Sequence, residues 1–463
     1  MSSLFSLPNI LSEFKHSIRL ALPLIASEVL YALNGFIATI MVAHLGKEQL
    51  AANALVWEIH IAVVLFFIGI LCSVSIMVAQ SFGAKDNHSI NACFKQGLIM
   101  AFLFAPFMML AMWFAPTLLV WTKQDPIVIG YATPFFRSLI WPMLPLNILV
   151  VMHQFLIGIN RPQIVMFTSI IVVPIEIFFY YAFLFCRFGM PKTGLPGIGY
   201  GLTISFCLII SCLFLYLHFS RNLKTHNLFR NWWKVNRKIL LELLNVGLPI
   251  GLMFCTEVAL FAAIAIMMGL LSTNDLAAYQ IAYQYLMIAI VIVYALTQTA
   301  TVRVGTEVGS NNRNAIKLTT LVNISMGLGF MLMFSIFYIA FPKLAISLDI
   351  NIHDPSLQKL VKQATVFLSL VGVLILIDSV RIITMGALRG LKDTRFPLFI
   401  SLLCFWCIAF PTTYLLAFKF KFGGVGIWWG AILGIFAAAI LLLARFNRLV
   451  KHADLEALVT RTD

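Results

Sequence analysis

Apolar runs of roughly the 20 residues that a helix needs to cross the hydrocarbon core of a bilayer recur along almost the whole chain. No other feature restricts the fold as strongly. We place about twelve spans, at 17–43, 52–80, 94–121, 134–156, 164–186, 197–218, 243–270, 279–303, 317–340, 362–384, 396–418 and 425–447. Membrane strands alternate polar and apolar side chains, and these runs do not, so the spans read as helices whose backbone groups are satisfied internally. A length of 463 residues would favour several soluble domains, but 61% hydrophobic and 11% charged residues leave too little polar surface to cover them.

The net charge of +14 is explained by topology rather than by a nucleic-acid partner. With the N-terminus in the cytoplasm, the inner loops carry Lys85 and Lys95, Arg161, Arg313 and Lys317, Arg389, Lys392 and Arg395, and the tail residues Arg445, Arg448 and Lys451. The segment Ser220–Lys238 adds a strongly basic stretch without an acid. The outer loops hold Glu48, Asp125, Asp275, Asp349 and Asp354, with Lys419 and Lys421 against the trend. An even number of spans places both termini inside. Pro8, Glu13 and Lys15 interrupt the first stretch, so the N-terminus does not read as a cleavable signal and the first span doubles as the insertion signal. The eight cysteines are scattered, and Cys404 and Cys407 lie within one apolar span, where a small packing side chain is the simplest role.

The two halves of the chain resemble each other. A shift of 226 takes Pro23 to Pro249, Leu50-Ala51-Ala52 to Leu276-Ala277-Ala278, Val78 to Val304 and Gly83 to Gly309 without a gap. A shift of 232 takes Gly158 to Gly390. Six spans per half means that equivalent helices run in the same direction, which predicts parallel repeats about an axis along the membrane normal. The expected organisation is an N-terminal lobe over 1–218, a basic cytoplasmic linker over 219–240, a C-terminal lobe over 241–449 and a tail over 450–463. Two such bundles around a central cleft have alternating-access transporter architecture, and one chain suffices to form the cleft.

Ionisable residues inside the membrane are costly and therefore mark function. Glu257, in span 7, has no basic neighbour in its own run and needs a partner from another helix, a bound cation or a proton. Asp378 and Arg381, in span 10, share one helix face. Either they form a local ion pair, or Asp378 exchanges a cation or proton with Arg381 as a movable partner. Glu257 and Asp378 together make a candidate ion site. In the first half, the repeat sets Tyr31 opposite Glu257 and Glu28 one turn earlier. Glu176 follows Pro174 in span 5, where a proline can bend the helix beside the acid. Glu28 and Glu176 are therefore candidate coupling or substrate contacts, as is Arg381. Glu58 and His153 are weaker candidates, and Arg303 with Glu307 reads as an interfacial pair.

Several segments, in order and at matching spans, resemble the multidrug and toxic compound extrusion (MATE) family, in its NorM-like bacterial branch. They are LPLIASEVLYALNGFIATIMVAHLG with QLAANAL, VAQSFGAKD, RFGMPKTGLPGIGYG, GLPIGLMFCTEVALF, LAAYQIAYQ, VRVGTEVG and IDSVRIITMGALRGLKDT. The resemblance implies two six-helix lobes, export of organic cations in exchange for Na⁺ or H⁺, and a second-lobe cation site at Glu257 and Asp378. It also implies a bacterial inner membrane. The chain departs from the family pattern in the first lobe. Ala38 stands where the family has an acid, Glu176 where it often has Asn, and Tyr180 where it has Asp.

The expected function is secondary active antiport of organic cations, with Na⁺ or H⁺ as coupling ion, no other cofactor and no nucleic-acid partner. The sequence has no G-x-x-x-x-G-K-[ST] loop to hold ATP. A flippase for a lipid-linked intermediate would need more basic groups in the cleft than Arg137 and Arg381, and a membrane enzyme would need clustered catalytic groups that the sequence lacks.

Overall fold

The computed structural model describes residues 6–191, 193–220, 235–352, 354–452 and 454–459, and all regular structure among them is helical. In chain order the α-helices are α1 (Leu7–Ala43), α2 (Lys47–Leu71), α3 (Ser73–Gly83), α4 (Asn87–Trp121), α5 (Pro126–Ser138), α6 (Met143–Gly158), α7 (Pro162–Leu184), α8 (Pro196–Phe219), α9 (Arg237–Leu271), α10 (Thr273–Gly309), α11 (Arg313–Ala340), α12 (Pro342–Ile346), α13 (Gln358–Gly390), α14 (Arg395–Leu402), α15 (Phe410–Tyr414), α16 (Gly423–His452) and α17 (Leu455–Leu458). Among the described residues, eleven spans are single stretches long and apolar enough to cross a membrane, and α5 with α6 forms a twelfth bent by 54°. Most of the expected basic linker, residues 221–234, lies outside the described residues.

The first helix starts ten residues before the expected span. Pro8 stands in its first turn, where the missing N–H would have had no helical partner. Glu13, expected to interrupt the apolar run, is buried in an ion pair with Arg303 instead.

The internal repeat is visible in backbone geometry. The shift of 226 takes the start of α2 at Lys47 to the start of α10 at Thr273, and the end of α3 at Gly83 to the end of α10 at Gly309. Lys85 and Asn311, related by that shift, have left-handed φ of 57° and 55°. The next residues, Asp86 and Asn312, cap α4 and α11 with a side-chain oxygen that accepts from backbone N–H groups. The shift of 232 relates Asn160 to Lys392, with φ of 60° and 56°. It also relates Gly158 to Gly390, where the chain makes one close approach twice. A Cβ on Gly158 would meet Val78 Cγ1 at 2.7 Å, and one on Gly390 would meet Val304 Cβ at 2.9 Å. Val78 and Val304 are themselves repeat partners.

The copies differ where the first half breaks its helices. The second span divides at Cys72, where the Ser73 hydroxyl donates to Ile70 O (2.7 Å) and the Ser75 hydroxyl donates to Cys72 O (2.9 Å). Such hydroxyls offer carbonyls an alternative to the regular helical ladder. The fourth span bends at residues 139–142, ahead of α6, and Pro142 there has no N–H to continue the ladder. Its counterpart α13 runs unbroken for 33 residues. The eleventh span contains two wide π-helical stretches, Leu403–Ala409 and Leu415–Lys419.

The chain forms two compact units. One comprises residues 6–21 with Leu252–Leu458, and the other Leu22–Gly251. The boundaries fall inside α1 and α9, beside the repeat-related Pro23 and Pro249, rather than in the basic linker. In the first unit α13 is central and packs on α10, α11 and α16. The early turns of α1 are fixed there by polar bonds. Arg303 Nη2 donates to Glu13 Oε2 (2.6 Å) and to Glu307 Oε1 (3.1 Å), Thr319 Oγ1 donates to Glu13 Oε1 (2.9 Å), and Asn323 Nδ2 donates to Ser17 Oγ (3.1 Å). In the second unit the early turns of α9 lie against α2, where a Cβ on Gly247 would come within 2.3 Å of Ile70 O. Large apolar side chains such as Phe107, Leu110 and Phe114 remain exposed along α4, as lipid-facing positions require.

Candidate ion-coupling site

Glu257 and Asp378 are brought together, and Arg381 stands between them. Glu257 lies on α9, eight residues beyond Pro249, while Asp378 and Arg381 lie one turn apart on α13. Arg381 Nε donates to Asp378 Oδ1 at 2.5 Å, and Arg381 Nη2 donates to Glu257 Oε1 at 2.7 Å. The side chains of Arg381, Asp378 and Glu257 are 2%, 1% and 10% exposed. One guanidinium therefore serves two carboxylates from two helices. The planar fork of arginine suits this, because its donors leave in different directions at fixed angles. The local pair and the cross-helix partner, considered separately in the sequence, are both present.

The group does not satisfy itself fully. Asp378 Oδ2 is buried and has no hydrogen-bond partner among the described residues. With all three groups ionised, the cluster carries one net negative charge. A buried acceptor without a partner is costly, and an uncompensated charge in the membrane is more so. The arrangement can therefore take one further positive charge.

Aromatic rings frame it. The Arg381 guanidinium lies 5.2 Å from the centre of the Phe405 ring, in the first π-helical stretch of the eleventh span. Tyr294, on α10, neighbours Glu257, Arg381, Asp378 and Arg389 electrostatically. Phe254 meets Tyr294 edge to face at 6.2 Å, and the Arg389 guanidinium lies 5.3 Å from the centre of the Phe254 ring. Rings over cations are stabilising where water is scarce. Sequence reasoning did not find Tyr294, Phe405 or Arg389 as neighbours of the acids. Tyr294 and Phe405 gave no signal beyond aromatic character inside an apolar span, and Arg389, expected in an inner loop, is buried in the last turn of α13 instead, because that helix runs on past the apolar stretch.

The other candidates lie in the second unit, apart from Arg303 and Glu307, which lie in the first. Glu176, on α7, is buried and accepts a hydrogen bond from Asn34 Nδ2 on α1. Its Oε1 and the Asn34 Oδ1 have no partner among the described residues. Tyr180, one turn further along α7, is also buried and neighbours both Glu176 and Asn34. Asn34 was missed in the sequence, although it is a polar residue within span 1 and precedes Ala38 by one turn. Tyr31, the repeat partner of Glu257, neighbours Ser169, Glu176 and Glu28. Glu28 and Glu58 are exposed. His153 Nε2 lies 3.0 Å from Thr168 Oγ1. Arg303 and Glu307 do pair, with Glu13 as a third member. None of the eight cysteines is in a disulfide, and Cys404 is buried while Cys407 is exposed.

Comparison with known proteins extends the resemblance over the whole chain. The profile of the family described as MatE matches residues 23–182 and 249–415. A probable multidrug resistance protein NorM from Agrobacterium fabrum is 31% identical over 95% of this chain and 95% of its own length. A protein of the same description from Rhizobium meliloti is 29% identical over 96% of this chain and 95% of its own. Among solved structures, the eukaryotic MATE transporter AtDTX14 superposes with a TM-score of 0.83 at 20% identity, covering 97% of this chain and 98% of that one. A MATE protein in a straight conformation gives a TM-score of 0.86 at 18% identity, covering 96% and 97%. The structural likenesses establish the fold.

Proposed function

We propose that this chain, which belongs to the MATE family of transporters, exports organic cations or drugs as a secondary active antiporter in exchange for Na⁺ or H⁺. It is a multi-pass membrane protein of a transporter family, not an enzyme. The curated relatives described as probable multidrug resistance proteins support the substrate class. They are bacterial, which supports an inner-membrane location. The basic inner loops support cytoplasmic termini, and one chain is the functional unit in this reading.

The observation that carries the antiport reading is the buried Glu257–Arg381–Asp378 cluster with its unpartnered Oδ2. Exchange requires two ligands that prefer different states of one protein. A cluster with one net negative charge, held by helices α9 and α13, is where a cationic ligand would change the balance between states. Glu257 and Asp378 carry the coupling charge. Arg381 orients both carboxylates and fixes their separation. Glu176, held by Asn34, is a second candidate for coupling or substrate contact, and exposed Glu28 a candidate for first contact with a cation.

The test is efflux of a fluorescent organic cation from cells expressing the protein, under imposed Na⁺ and pH gradients. The reading predicts efflux above empty-vector cells that rises with one of the two inward gradients. Efflux indifferent to both gradients would indicate a passive channel, and none at all would favour a flippase for a lipid-linked intermediate.

A further inference from the structure

We propose that Arg381 sets counter-ion specificity: its guanidinium fills the place between Glu257 and Asp378 that a sodium ion would need, so the acid pair of this unit is closed to Na⁺. The inference rests on the assignment of Glu257 and Asp378 to coupling and narrows it to one class of ion.

Sodium needs several oxygens directed at one point. Here one oxygen of each carboxylate is directed at Arg381 instead, Glu257 Oε1 at 2.7 Å from Nη2 and Asp378 Oδ1 at 2.5 Å from Nε. The side chains that adjoin Arg381 offer one further oxygen, the Tyr294 hydroxyl. Phe405 covers the guanidinium, Tyr294 stands on the α10 side, and Cys404 neighbours Arg381 from the eleventh span. Among the described residues no group of three or more His, Cys, Asp or Glu side chains is placed to hold a metal ion. Arg389, also near Tyr294, adds positive charge to the same region.

The charge of Arg381 is permanent. An arginine does not lose its proton in a protein, so the site cannot be cleared by deprotonating it. A sodium ion at the acids would sit within a few ångströms of that charge in a medium that screens little. Moving the guanidinium away would strand a buried cation. A lysine or glutamine at the same position would leave different options: lysine can deprotonate, and glutamine offers a neutral oxygen. Arginine offers neither. What remains open is Asp378 Oδ2 and, on the other carboxylate, Glu257 Oε2: two oxygens, enough for a proton and too few for a metal shell.

The experiment is thermal unfolding of the purified full-length protein in detergent, in sodium chloride against choline chloride at equal ionic strength, for wild type, Arg381→Gln, and Arg381→Gln with Glu257→Gln. The wild type is expected to melt at the same temperature in both salts. Arg381→Gln is expected to gain a sodium-specific rise of about 2 °C or more, and the double variant to lose it. A sodium-specific rise in the wild type that Glu257→Gln abolishes would overturn the proposal. So would a folded Arg381→Gln protein with no sodium response. If Arg381→Gln does not fold, the wild type and Glu257→Gln carry the test alone: equal melting of the wild type in the two salts is the expected result, and a sodium-specific rise that Glu257→Gln abolishes overturns the proposal. Because the readout is binding, it stands even if no organic cation is transported; a failure of transport would count against the antiporter reading and not against this one.

Discussion

Arg381 Nη2 lies 2.7 Å from Glu257 Oε1 across 124 residues of sequence, while its Nε reaches Asp378 on its own helix. Removing the guanidinium strands two buried carboxylates. Arg381→Met should destabilise the protein by about 3–5 kcal/mol, read as loss of folded protein on heating. Adding Glu257→Gln and Asp378→Asn should recover most of that loss, because the penalty comes from unpaired charge and not from lost volume.

Glu13 ties the first turns of α1 to α10 and α11. Glu13→Ala leaves Arg303 with Glu307 alone, at 3.1 Å. We expect a loss of about 2–3 kcal/mol, typical of a removed hydrogen bond to a charged group with its partner left behind. Arg303→Ala should cost a similar amount, and the double variant far less than the two combined. Additive losses in that cycle would show that the two side chains do not work as a pair.

Gly158 and Gly390 each face a valine at sub-contact distance for any added Cβ. Gly390→Ala and Gly158→Ala should each destabilise by roughly 1–3 kcal/mol through overpacking. Val78→Ala removes the Cγ1 nearest the added Cβ and should recover part of the Gly158→Ala loss, whereas Val304→Ala should recover little, because Thr301 O at 2.7 Å and Val304 Cβ at 2.9 Å remain. Thermal unfolding of the four single and two double variants checks this.

Asp86 caps α4 outside the membrane. Burial pushes its carboxyl up, but the Ser89 hydroxyl and the N–H groups of Ser89 and His88 outweigh burial and hold it below the usual value of 3.8. A depressed carboxyl contributes stability that is present above its unfolded value and lost as pH falls through the folded one. Asp86→Ala should therefore lose about 1 kcal/mol at neutral pH and less at acid pH. Asp86→Asn should keep the cap, as Asn312 does at the repeat position, and should flatten the acid dependence. Unfolding measured across pH 3–7 distinguishes the three proteins.

The fold was largely legible because membrane spans announce themselves by length and apolarity, and the repeat by Pro23 and Pro249 and by Gly158 and Gly390. Nothing in those patterns gave the division of α1 and α9 between two units, since an apolar helix carries no mark of which neighbour it packs against. The bend before α6 had a local signal in Pro142, but prolines 23 and 249 lie inside unbroken helices, so proline alone does not specify a break. At the site, Glu257 and Asp378 could be found because buried acids are rare. That Arg381 reaches both was not readable, because spacing within α13 says nothing of where α9 lies. Asn34 escaped notice for the same reason, being one neutral amide in an apolar span until Glu176 is placed against it.

If Asp378 carries coupling charge, and is more than the partner of Arg381, transport depends on its ionised carboxyl. The direct measurement is uptake of a fluorescent organic cation into proteoliposomes oriented by an imposed pH gradient, with wild type and Asp378→Asn reconstituted at equal, folded amounts. Gradient-driven uptake is expected for the wild type, and at least a tenfold lower rate for Asp378→Asn, a change of about 1.4 kcal/mol or more in the driving step. Equal rates for the two proteins would contradict that dependence and leave Asp378 as a structural counter-charge.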